Sequence, residues 1–135
     1  MPTPILLQAG FFEISRRSSG KSLARRDQAD YIRGMSDLLT PKKFSQPLDE
    51  AAVAADWKAR GYSCNPFADP PGQQWLDFTH GTNELVTVVE GRLEMVVGDV
   101  RVEMSPGDEI FIPARANHSV INIHNGTSRW LFGYD

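Results

Sequence analysis

The chain has 135 residues, of which 41% are hydrophobic, a formal net charge of −3 and one cysteine, values that suit one compact domain. No apolar stretch approaches the ~18 residues that a membrane helix needs, and the opening MPTPILLQAGFF lacks basic residues and is broken by Gln8 and Gly10, so neither a membrane partner nor a secretory leader is expected and a cytoplasmic location follows. Cys64 stands alone, which excludes an intrachain disulfide and a cysteine-rich zinc cluster.

Charge is uneven along the chain. Residues 1–45 carry eight Lys/Arg against four Asp/Glu, and the remainder six against thirteen. Arg16, Arg17, Lys21, Arg25, Arg26 and Arg33 give the N-terminal part a basic character. Acidic residues interrupt them and no recognised binding motif accompanies them, so nucleic acid is not an expected partner.

In chain order, residues 1–46 read as an N-terminal extension in which Ile5 to Ile14 is a candidate strand and Ser22 to Leu39 a loosely helical stretch before Pro41. Residues 47–60 read as a helix. Pro47-Leu48-Asp49-Glu50 opens an Ala-rich run with its acids at the start, and Lys58 and Arg60 close it before Gly61, the polarity that the helix dipole favours. From 61 to 135 the chain turns to short β-branched or aromatic runs separated by Pro, Gly, Asn and Asp, the pattern of an all-β barrel or sandwich. Leu85–Glu90, Arg92–Val97, Val100–Met104, Glu109–Ile112, Ser119–Ile123 and Arg129–Tyr134 are the expected strands. Glu90-Gly91 and Gly98-Asp99 predict tight turns in an antiparallel meander, and Asn125-Gly126 predicts a hairpin.

Within this region His80 and Glu84 share a face if the backbone between them stays extended, although Gly81-Thr82-Asn83 can bend it. His118, on a different expected strand, comes opposite them if the barrel closes. Two imidazoles and a carboxylate suit zinc, iron, nickel, copper or manganese and leave coordination positions open. The alternative is a set of hydrogen-bonded structural side chains. His124 is expected at the barrel rim, and the tryptophans and phenylalanines of this region as core or as the wall of an apolar pocket.

The segment from Gly72 to Asn122 resembles the two motifs of the cupin superfamily. The first is written Gly-x5-His-x-His-x3,4-Glu-x6-Gly, and Gly72, Phe78, His80, Glu84 and Gly91 occupy its positions. Phe78 replaces the first histidine. The second is Gly-x5-Pro-x-Gly-x2-His-x3-Asn, matched by Gly107, Pro113, Arg115, His118 and Asn122, with Arg115 in place of the middle glycine. The resemblance implies an all-β cupin barrel (a double-stranded β-helix or jelly roll) with an N-terminal extension containing at least one helix. It also implies a divalent metal, zinc, iron, nickel or manganese, held by His80, Glu84 and His118, with Phe78 removing one of four ligands.

Gln73, Trp75, Phe78, Arg115 and Asn122 are then the candidate substrate-binding residues. Arg115 can direct a guanidinium toward a carboxylate or phosphate. Two functional classes remain open: a metal-dependent enzyme of unassigned reaction, and a metal-free, non-catalytic small-molecule binding or sensor module, which Phe78 favours. Cupins are commonly dimers, and a strand from residues 4–14 adding to a partner's sheet edge would build a homodimer.

Overall fold

The computed structural model describes residues 37–135; the candidate strand at Ile5 to Ile14, and with it the strand-exchange expectation, lies outside them, as does most of the Ser22 to Leu39 stretch. The order is β1 (Leu39–Thr40), α1 (Glu50–Ala59), β2 (Asn65–Asp69), β3 (Gln74–Phe78), β4 (Glu84–Glu90), β5 (Leu93–Val97), β6 (Val100–Met104), β7 (Glu109–Ile112), β8 (His118–Asn122) and β9 (Ser128–Tyr134). The strands form two sheets, β1-β7-β4-β9-β2 and β3-β8-β5-β6, with antiparallel neighbours throughout. This is an all-β barrel of two antiparallel sheets with a helix on its N-terminal side.

The meander expected from the turn residues is corrected by this topology. Gly98-Asp99 does close a hairpin, with Val97 opposite Val100. Glu90-Gly91 and Asn125-Gly126 instead carry the chain from one sheet to the other, since β4 and β5, and likewise β8 and β9, belong to different sheets. Gly or Asn specifies that the chain reverses, and does not specify which sheet receives the next strand. At Gly91 the reason for glycine is local: φ is +95, and a Cβ there would collide with Ser128.

Inward-facing residues such as Val86, Val88, Leu93, Met95, Ile110, Val120 and Trp130 fill the space between the sheets. Asp69, at the end of β2, ties the two sheets at one edge by accepting Trp75 Nε1–H at 2.9 Å and Trp130 Nε1–H at 3.0 Å. Burial pushes its carboxyl above the usual range, and the two indoles offset only part of that cost.

Helix α1 starts where the Asp49 side chain accepts Ala51 N–H and Ala52 N–H, satisfying amides that the first turn cannot pair. Val53 and Trp57, four apart and so on one face, are buried against Leu85 and Leu131 on the outer side of the five-stranded sheet, each contributing roughly 2 kcal/mol. Glu109 fixes the helix by accepting Trp57 Nε1–H at 2.7 Å and two bonds from the Arg60 guanidinium at 3.0 and 2.9 Å. Among the described residues, no helix is long and apolar enough to cross a membrane.

Candidate metal centre

His80, Glu84 and His118 converge at the barrel mouth, offering ligand atoms that all lie within 4.8 Å of one another. Glu84 opens β4 and His118 opens β8, so each sheet contributes one wall. His80 lies outside the strands, in the loop joining β3 to β4, and the convergence comes from the bend at Gly81-Thr82 and not from an extended backbone. That loop is held by its neighbour across the mouth: Arg115 N–H donates to the His80 carbonyl at 2.7 Å, and Ala114 N–H donates to Asn83 Oδ1 at 2.7 Å.

The two imidazoles are oriented in the same way. His80 Nδ1 faces the Thr82 carbonyl and His118 Nδ1 faces the Ala116 carbonyl, each at 3.0 Å. A carbonyl only accepts, so both Nδ1 atoms carry the proton and both Nε2 atoms turn toward Glu84, at 3.0 Å from Oε1 for His80 and 3.4 Å for His118. Backbone carbonyls that hold histidine in this tautomer are a usual outer support of metal-binding imidazoles.

Three acceptor atoms thus face one another in a site where Glu84 and His118 are each 1% exposed. Lone pairs cannot satisfy lone pairs, so a proton or a cation has to stand among them. Glu84 Oε2 and His118 Nε2 have no hydrogen-bond partner although both are buried, a costly state for polar atoms. The hydrogen bond to Glu84 raises His80 above its ordinary value against the opposing effect of burial. Burial pushes Glu84 up, but His118 and His80 beside it prevail and hold its carboxyl below the ordinary value. The two separations that involve Glu84 suit a metal as well as a proton: ligands at about 2.0–2.2 Å from one ion stand about 3.0–3.5 Å apart, close to the 3.0 and 3.4 Å above.

Phe78 is 2% exposed and sits in register with His118, their ring centroids 6.1 Å apart. It reaches the inner face because β3 carries a bulge between Trp75 and Phe78, where Asp77 takes φ +57; two residues three apart otherwise face opposite ways. The Trp75 indole is already committed to Asp69, and Gln73 bonds locally to the Gln74 carbonyl.

Asn122 is fully engaged in holding loops. Its Nδ2 donates to the carbonyls of Asp69, Pro70 and Gly126, and its Oδ1 accepts His124 N–H and Ser128 Oγ–H. Arg115 has an exposed side chain and φ +67, the left-handed region where glycine is at ease; its backbone, through His80, is what touches the site. His124 is not part of the three-residue group.

Tyr134 was not apparent as a site residue from the sequence. It pairs with Glu84 across β4 and β9 and so shares its face, and its ring meets His80 edge-on at 4.9 Å. Its hydroxyl is buried without a partner, and burial, then the Glu84 charge, raises it well above its ordinary value, so it keeps its proton. Parity along β9, which puts Trp130, Phe132 and Tyr134 on one face, is the signal that would have found it.

Residues 67–134, about half of the chain, match the Cupin domain family. The chain belongs to that family. Among solved structures, it resembles a cupin 2 domain-containing protein from Halorhodospira halophila (24% identity, TM-score 0.52, covering 60% of this chain and 57% of that one). It also resembles AerE from Microcystis aeruginosa (14%, 0.52, 54% and 35%) and an RmlC-like cupin from Shewanella frigidimarina NCIMB 400 (18%, 0.50, 54% and 64%). The chain therefore spans less than two thirds of each of these proteins, and the likeness is one of fold. No protein with a curated description matches it.

Proposed function

We propose that this cupin binds one divalent metal ion, zinc, iron, nickel or manganese, through His80, Glu84 and His118, and holds a small molecule against it at the barrel mouth. The observation that carries this reading is the pair of imidazoles locked at Nδ1 by backbone carbonyls, with both Nε2 atoms turned on a carboxylate that retains an unpartnered oxygen. A divalent ion held there would supply a Lewis acid with open positions for an oxygen-bearing ligand. Glu84 then serves as a ligand and not as a free base. Phe78 and Phe132, both within the apolar core cluster, limit water around the site and strengthen its electrostatics.

A second reading is a metal-free binding module. The buried Phe78 ring favours it, since it stands beside His118 where the family motif has its first histidine. A proton on His80 Nε2 then balances Glu84. Metal content of protein purified without chelator separates the two. One equivalent of metal in the wild type, lost in His80→Ala and in His118→Ala, is expected; substoichiometric metal in the folded wild type would leave the metal-free module.

A further inference from the structure

We infer that Tyr134 orients the metal-bound ligand, donating its hydroxyl to an anionic oxygen or nitrogen atom at an open coordination position. This rests on the metal-binding reading above. Three observations carry it. Tyr134 pairs with Glu84 in the β4–β9 ladder, and directly paired residues project from the same face of a sheet, so it is directed to the same side as the ligand set. Its ring lies against His80 at 4.9 Å and against Phe132 at 5.8 Å, which fixes the ring plane. Its oxygen is buried and makes no hydrogen bond, so the donor is left for something that is not part of the described fold.

Four other polar side chains near the mouth are committed elsewhere or face solvent. Asn83 bonds to Asp135 and to Ala114 N–H, Asn122 holds loops, the Trp75 indole is on Asp69, and the Arg115 side chain is exposed. A divalent ion with one carboxylate and two neutral imidazoles carries one net positive charge, which suits a monoanion. The surrounding Phe78 and Phe132 suit an otherwise apolar body. The ligand class is a small, largely apolar molecule with one anionic donor atom, bound to the metal and hydrogen-bonded once by Tyr134.

Azide binding to the full-length cobalt(II)-loaded protein, followed by its visible spectrum, tests this in the wild type and in Tyr134→Phe, which removes only the oxygen. Unchanged cobalt stoichiometry and melting temperature with azide affinity weakened about tenfold is expected, the loss of one hydrogen bond to a charged group. Equal azide affinity in the two proteins would overturn the role of Tyr134 and leave the metal site standing. Loss of cobalt in Tyr134→Phe would make Tyr134 a metal ligand and overturn the proposal in another way. A wild type that takes up no cobalt would remove the metal reading and the Tyr134 role together.

Discussion

Glu84 and Glu109 lie on the paired strands β4 and β7, are 1% and 3% exposed, and yet end in opposite situations. Glu109 faces the helix and is saturated: one indole and one guanidinium give it three hydrogen bonds. Glu84 faces the barrel mouth, meets two ring nitrogens whose other nitrogens already donate elsewhere, and keeps one oxygen without a partner. A buried carboxylate with its donors supplied by the fold is a structural tie. One surrounded by acceptors is a site waiting for positive charge.

The contrast can be broken by exchanging the consequences of losing each carboxylate. Glu84→Gln should weaken metal binding by about a hundredfold or more, while changing the stability of the metal-free protein at pH 8 by less than about 1 kcal/mol, because the amide can donate to a neutral imidazole. Glu109→Ala should do the reverse. Denaturant unfolding should show a loss of about 2–3 kcal/mol, from a stranded Trp57 N–H and a broken ion pair that is discounted because the Arg60 side chain is 36% exposed, with metal stoichiometry intact. If both variants lose metal equally, the division between tie and site is wrong.

The same contrast gives a pH dependence. His80 is raised above its ordinary 6.5, so its contribution is complete below that pH and fades as pH rises through the higher folded value. Glu84 is lowered below its ordinary 4.5, so its contribution holds above that pH and fades as pH falls through the lower folded value. The stability difference between metal-free wild type and His80→Ala should therefore be largest between about pH 4.5 and 6.5 and shrink at higher pH. Urea titrations across this range check the sign: a difference that grows toward pH 8 in the absence of metal would contradict it.

The smallest effect concerns Arg115. Replacing it with glycine should stabilise the fold by about 0.5–1 kcal/mol by relieving its φ of +67, with metal binding unchanged. Thermal unfolding measures it, and a loss of stability would mean that the exposed guanidinium matters.

These residues also show what could be read in advance. Motif spacing was legible because the backbone demands it: Gly72, Gly91, Gly107 and Arg115 all take positive φ, and the turns they make hold His80, Glu84 and His118 at fixed separations. Strands β4 to β9 were legible from their β-branched and aromatic runs, whereas β1, β2 and β3, short and interrupted by Pro66 or polar residues, were not expected. What lay beyond the sequence depended on contacts between strands distant in the chain. Gly91 and Asn125-Gly126 mark reversals without naming the receiving sheet, the bulge at Asp77 turns Phe78 inward against simple alternation, and Tyr134 joins the site only through its pairing with Glu84. Asn122 was legible as a motif residue but not as a tie, since its five partners, the end of β2, three loop atoms and the Ser128 hydroxyl, are brought together by folding.

The most direct test of the His80, Glu84 and His118 centre is X-ray absorption at the edge of the metal that the purified protein carries. Two imidazole nitrogens and a carboxylate oxygen at about 2.0–2.2 Å, with the imidazole signal reduced in His118→Ala, are the predicted result. A shell of oxygen atoms alone, or a sulfur neighbour from Cys64, would contradict it.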